Sequence, residues 1–136
     1  MRGYRRMALL GLVVGFSSIF VLSVYTDVRA FDEGELLGYI NQERAAHGLA
    51  PLSYSAALSN GAQLQANDMA ACQCLSHEGY YASAENVTFA PTAWDAYQNW
   101  VGSPPHHQNI LGPYTQIGIG HGVDQYGNKY WTLNLA

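Results

Sequence analysis

Basic residues are scarce in this chain, which has six Lys and Arg among 136 residues against ten Asp and Glu. Four of the six (Arg2, Arg5, Arg6 and Arg29) fall in the first thirty residues, together with Asp27. Residues 31–136 keep only Arg44 and Lys129 against nine carboxylates, a net charge of −7 with histidine neutral. So acidic a surface repels nucleic acid and anionic lipid headgroups, and it favours the approach of cations. Cysteine is also scarce. Cys72 and Cys74 are the only two, too few for a structural zinc site. Two residues apart on a helix, their side chains diverge by about 200°, so a bridge between them requires non-helical backbone. An exported chain could hold them as a disulfide, and the sequence leaves that pairing open against two free thiols. No internal repeat and no low-complexity tract appears, and the length fits one domain.

Charge is missing altogether from Met7 to Val24, which is almost wholly apolar. The basic stretch Met1-Arg-Gly-Tyr-Arg-Arg6 precedes it, and Val28-Arg-Ala30 follows with small residues at −3 and −1. This is the pattern of a signal peptide, residues 1–30, cleaved after Ala30. The alternative is a retained anchor, because about 18 apolar residues reach the lower limit of a membrane span. Either way residues 31–136 are expected outside the cytoplasm, secreted or facing outward.

Hydrophobic spacing predicts a helix over 33–47, with Leu36, Leu37 and Ile40 on one face and Gly48 as its stop. His47 in the last turn reads as an electrostatic cap. Ser53 or Ser55 can cap a second helix reaching about Ala71, in which Leu58, Ala62, Ala66 and Met69 recur at helical spacing. Its small residues admit close approach by another layer. A short strand is expected over 85–89. Pro91 opens a third helix over 92–101, with Trp94, Tyr97 and Trp100 as an aromatic stripe that reads mainly as core. The end reads as a hairpin. Ile117, Ile119 and His121 point one way and Gly118, Gly120 and Gly122 the other, with Tyr126-Gly-Asn128 as the connection and Tyr130–Leu135 returning. Glycines at alternate strand positions imply that another element packs very close to that face. Helices followed by a small antiparallel sheet make an α+β layered domain.

The five histidines carry the chemistry. His77 stands near Glu85, and His106 and His107 are adjacent behind Ser103-Pro-Pro105. Two imidazoles and one carboxylate meet the three-ligand count of a catalytic zinc site. If the carboxylate instead accepts a ring N–H, it fixes a tautomer and only two ligands remain, which makes a weak site. Asn109 reads as a backbone cap, His107 as a solvated bystander, and His121 as a half-buried strand residue or the far wall of the cleft. Asn41 and Arg44 read as residues that hold the fold.

In their order and spacing these segments resemble the CAP superfamily: cysteine-rich secretory proteins, antigen 5 and pathogenesis-related 1 proteins, with the SCP domain. The resemblance rests on Ile40-Asn-Gln-Glu-Arg-Ala-Ala-His-Gly-Leu-Ala-Pro-Leu52, Asp68-Met-Ala70, Ser76-His77 and Glu85-Asn86-Val87. It continues through Trp100-x-x-Ser-Pro-x-His106-x-x-Asn-Ile-Leu111, Ile117-Gly-Ile-Gly120 and Tyr130-Trp-Thr132. The Ser-Pro-x-His form is similar to the microbial branch. The resemblance implies an α-β-α sandwich around a small three-stranded antiparallel sheet over 31–136, and a cleft set of two histidines and two acids that holds zinc in some members. His77 and Glu85 match the first histidine and first glutamate, and His106 matches the microbial histidine. Ser103 stands where plant and animal members carry the second acid, so the expected set is His77, Glu85 and His106. Ser103, Asn109 and His121 are secondary candidates.

The functional expectation is a secreted, monomeric module without enzymatic activity. Its cleft would take zinc, another divalent cation or a small ligand, and its surface an extracellular partner, with no nucleic acid and no membrane unless the N-terminal segment is retained. The alternatives are a secreted metal- or Glu85-dependent hydrolase and a sterol or lipid carrier using the aromatic stripe.

Overall fold

The computed structural model describes residues 14–136, with side chains from residue 29 onward. Helix α1 (Val14–Ala46) is followed by a two-residue strand β1 (Ser53–Tyr54) and helix α2 (Ala56–Cys72). Strand β2 (Ala84–Phe89), helices α3 (Ala93–Val101) and α4 (Pro104–Ile110), and strands β3 (Gln116–Val123) and β4 (Lys129–Leu135) complete the chain. Three differences from the sequence reading stand out. The first helix begins at Val14, so Val28-Arg-Ala30 lies within it, while residues 1–13 of the proposed leader fall outside the described residues. Pro104–Ile110 is a helix that hydrophobic spacing did not predict, and it forms because Pro104 and Pro105 occupy its first positions, where a missing N–H is harmless. The sheet has a fourth strand, β1, too short to carry an alternating pattern. Among the described residues no helix is long and apolar enough to cross a membrane.

The sheet order is β1-β3-β4-β2, with β1 parallel to β3 and the other pairs antiparallel. Register decides which side chains share a face. Trp131, Leu133 and Leu135 stand opposite His121, Ile119 and Ile117 on β3. The apolar ones among them, with Leu36 and Ile40 of α1, Trp100 of α3 and Ile110 of α4, form the larger core. Two indoles fix α3 and its approach to the sheet, with Trp100 Nε1 donating to the Val87 carbonyl at 3.2 Å and Trp131 Nε1 to the Ala90 carbonyl at 2.9 Å. Burying an aromatic ring without leaving its N–H unpaired is what makes these positions suitable for Trp.

Helix α2 covers the other face. It is capped by Ser55, whose hydroxyl accepts the Leu58 N–H at 3.3 Å. The glycine stripe of β3 is the surface it lies on. A Cβ on Gly118 would sit 2.1 Å from the Leu58 carbonyl carbon, one on Gly120 2.4 Å from the Gln63 nitrogen, and one on Gly122 2.4 Å from the Ala66 oxygen. These are backbone atoms of α2, so no rotamer change relieves the overlap. The stripe is therefore required by close approach, as the alternating glycines implied. α2 ends at Cys72, and Gln73 takes a left-handed conformation with φ 55°. That break lets the side chains of Cys72 and Cys74, whose Cα atoms are 5.2 Å apart, turn toward each other, and they form a disulfide.

Gly120→Ala should destabilise the fold by about 3 kcal/mol, the upper part of the overpacking range. Gly38→Ala, on the exposed side of α1 with nothing within 4 Å of the added methyl, should stabilise it by roughly 0.5–1 kcal/mol. Urea denaturation of both variants checks the pair. Equal, small effects would mean that α2 is not seated on β3.

Candidate functional site

Glu85 lies at the start of β2, an edge strand, and pairs in register with Asn134 on the α2 side of the sheet. His77 lies in the loop after α2. Its Nδ1 is 2.8 Å from Glu85 Oε1, and the second carboxylate oxygen accepts the Gly79 N–H at 3.2 Å. The carboxylate is almost wholly buried, with its side chain 5% exposed, whereas the His77 side chain is 58% exposed. Glu85 is thus spent on holding the loop and orienting one imidazole, which leaves Nε2 of His77 facing outward. The loop is tied a second time by Gln65, whose side-chain amide donates to the Ser76 carbonyl at 2.6 Å and to its hydroxyl at 3.0 Å.

His106 arrives from the opposite layer, on α4. Its backbone carbonyl accepts from Asn86 Nδ2 at 2.9 Å, and Asn109 Nδ2 donates to Asn86 Oδ1 at 2.8 Å. Asn109 therefore does not cap backbone. It completes an amide relay that fastens α4 to the edge strand. Partial burial, and then the charge of His77, push the His106 imidazole below the ordinary histidine value. The two imidazoles thus feel each other around strand β2, and His106 remains neutral to more acidic pH than a solvated histidine.

The other candidates fall elsewhere. Ser103 is the N-cap residue of α4 and makes no side-chain cap bond. His121 is not half-buried but 2% exposed, stacked on Trp131 with ring centroids 4.6 Å apart. It faces the α1 side, 3.6 Å from Glu33 and 3.9 Å from Asp32, and so belongs to the core rather than to the cleft. The aromatic stripe divides. Trp100 is fully buried, while Trp94 and Tyr97 pack on Tyr39 of α1 at 5.1 and 5.7 Å.

His107 is the residue the sequence reading missed. It is no solvated bystander, since its Nε2 lies 2.7 Å from Glu43 Oε1. His47 Nδ1 lies 3.5 Å from the same oxygen and 2.9 Å from the Glu43 carbonyl. Among the described residues, Glu43, His47 and His107 form a group whose ligand atoms all lie within 4.8 Å of one another and could hold a metal ion. His77, Glu85 and His106 do not form such a group. Burial pushes the Glu43 carboxyl up, but hydrogen bonds from His107 and Tyr97 and the charges of the two histidines outweigh it, so the net shift is downward. A spacing signal was present, since Glu43 and His47 stand at i,i+4 on one helix face.

The model of the cysteine-rich secretory protein family matches residues 37–135. The chain belongs to the CAP family. A comparison with the curated proteins finds no match. Among solved structures, the CAP chain is similar to an outer surface protein of Borrelia burgdorferi, with a TM-score of 0.68 and 14% identity over 76% of this chain and 90% of that one. It is similar to venom allergen-like protein 4 of Schistosoma mansoni, with a TM-score of 0.65 and 15% identity over 77% and 87%. It also matches an extracellular protein containing a SCP domain from Bacillus anthracis, with a TM-score of 0.62 and 17% identity over 79% of this chain and 41% of that one. At such identities the likeness is one of fold.

The electrostatic reading has a direct check by proton NMR of the imidazole rings. His106 should titrate below the ordinary histidine value of about 6.5, and His77→Ala should move it upward, with burial keeping it still below that value. A His106 midpoint at or above the ordinary value would contradict the arrangement.

Proposed function

We propose that this CAP domain is an exported, non-enzymatic binding module whose edge cleft presents His77 and His106 to a small ligand or, weakly, to a divalent cation such as zinc. The observation that carries this reading is the state of Glu85. Both of its oxygens accept hydrogen bonds, from His77 and from Gly79, and its side chain is 5% exposed. A general base must reach a water or a substrate proton within about 2.6–3.2 Å, and this carboxylate is engaged elsewhere. Ser103, where the family's second acid would stand, supplies no replacement.

Zinc fits this cleft only in part. Glu85 acts here as the carboxylate that fixes a histidine tautomer, and two imidazoles alone are fewer than the three protein ligands of an open zinc site. Bound there, the ion would supply Lewis-acid polarisation of a ligand oxygen. His77 would present Nε2 while Glu85 holds its Nδ1 proton, and His106 would present an imidazole kept neutral by burial.

Export is supported by the basic, apolar and Val28-Arg-Ala30 pattern at the N-terminus. It is also in keeping with relatives described as an outer surface protein and as an extracellular protein. The acidic surface of residues 31–136 suits a partner met outside the cytoplasm and disfavours nucleic acid.

Residue-resolved NMR with excess zinc tests the cleft. The ring signals of His77 and His106 should shift or broaden together, and His77→Ala should abolish the response at His106. Two rings that stay unmoved in excess zinc would remove the cation part of the proposal. Hydrolysis of an ester or peptide substrate that is lost in Glu85→Gln would overturn the non-enzymatic part.

A further inference from the structure

We propose that Glu43, His47 and His107 form a second site, separate from the edge cleft, that binds a divalent transition-metal ion of the imidazole-preferring kind, zinc above all, and clips the end of α1 to α4. The site is independent of the His77–His106 reading and stands or falls by itself.

The donor set comes first. Two imidazole nitrogens and one carboxylate oxygen converge, with all ligand atoms within 4.8 Å of one another. Glu43 Oε1 is the hinge of the group, 2.7 Å from His107 Nε2 and 3.5 Å from His47 Nδ1. Tetrahedral coordination at about 2.0–2.1 Å places ligand atoms roughly 3.3 Å apart. The observed separations lie on both sides of that value. The larger one is closed by His47, whose side chain is 44% exposed and has room to turn. The imidazole rings stand 5.5 Å apart at 79°, so neither blocks the other's approach to a shared point. Two nitrogens and one oxygen suit zinc, copper or nickel, whereas calcium and magnesium require an all-oxygen shell.

The frame around the donors is already fixed. Tyr97 donates its hydroxyl to Glu43 Oε2 at 3.0 Å, which turns Oε1 toward the histidines. Arg44, the next residue along α1, is 3% exposed and donates from Nη1 to the carbonyls of Ile110 at 2.8 Å and Gly112 at 2.9 Å. That tie seats the last turn of α1 against α4 at the point where Glu43 and His107 meet. A site on two helices pinned in this way spends little free energy on ordering its ligands.

Metal uptake replaces two hydrogen bonds. The contact of His107 Nε2 with Glu43 Oε1 gives way to one metal bond from each group, and the His107 ring proton sits on Nδ1. His47 Nδ1, a donor to the Glu43 carbonyl 2.9 Å away, leaves that oxygen and binds as the unprotonated nitrogen, its ring proton passing through solvent to Nε2. No electron transfer and no covalent step is involved. The net charge of −7 over residues 31–136 raises the local concentration of cations.

The test uses the full chain carrying His77→Ala and His106→Ala, so that the edge cleft cannot contribute. Calorimetric titration with zinc should give one ion per chain. Adding His47→Ala, an exposed position whose loss should leave the fold intact, should weaken binding at least tenfold. Glu43→Gln, which retains an acceptor for Tyr97, should do the same. Cobalt(II) in place of zinc should show the intense visible absorption of a tetrahedral or five-coordinate ion in the parent, and lose it in His107→Ala. Zinc affinity unchanged by His47→Ala and Glu43→Gln, or calcium bound as tightly as zinc, would overturn the proposal.

Discussion

The contact on which this fold depends is backbone against backbone. Helix α2 rests on β3 at Gly118, Gly120 and Gly122, closer than any side chain permits. The small residues of α2 serve the same approach, with Ala62 and Ala66 fully buried. Ser59 reinforces it from the helix side, its hydroxyl accepting the Ile119 N–H at 3.2 Å. From β4, Asn134 donates to the carbonyls of Leu58 and Tyr80. A helix laid flat on a glycine face leaves volume for the large residues on the other side. There Trp100, Trp131, Leu36 and Ile40 fill the space between the sheet and helices α1 and α3. A small separate cluster of Met69, Ala70, Val87 and Tyr130 is buried apart from them.

The two histidine groups are consequences of that layering. β2 is an edge strand, so a loop leaving α2 and a helix lying on the opposite face can meet around it. His77 comes from the first and His106 from the second, with Glu85 and Asn86 on the strand securing one each. The other group arises where α4 returns to α1. Arg44 is buried there, and among the described residues no carboxylate pairs with it. Its charge is met by backbone carbonyls of Ala50, Ile110, Gly112 and Tyr114 instead. Such an arrangement uses the planar, multi-donor guanidinium in a way lysine cannot reproduce. It also brings Glu43 and His107 into contact across a separation of 64 residues.

Much of this was legible in the sequence, for physical reasons. Alternating glycines opposite Ile117, Ile119 and His121 declare a close layer, because nothing else excuses the lost β-propensity. Ser76-His77, Glu85-Asn86 and the Ser-Pro-x-His stretch identify the family, and the family supplies the sandwich. The role of Glu85 was readable only as an alternative, since one hydrogen bond decides whether it orients a histidine or serves as a ligand. The Pro104-Pro105 pair hid helix α4, because prolines suggest a turn unless they occupy a first helical turn. His107 was misread for the same reason. On a helix, neighbours diverge by about 100°, so His106 faces the edge strand and His107 faces α1. β1 has two residues, too few for any pattern to register.

The central claim is that Glu85 orients His77 at the β2 edge while metal-ligand geometry is assembled at the α1–α4 junction. Anomalous X-ray diffraction at the zinc edge, from crystals of the unmodified chain soaked in zinc, tests it most directly. The account predicts a strong peak bounded by Glu43, His47 and His107, and at most a weaker one shared by His77 and His106, with Glu85 still bonded to His77. A single strong peak in the edge cleft with Glu85 as a direct ligand would contradict it.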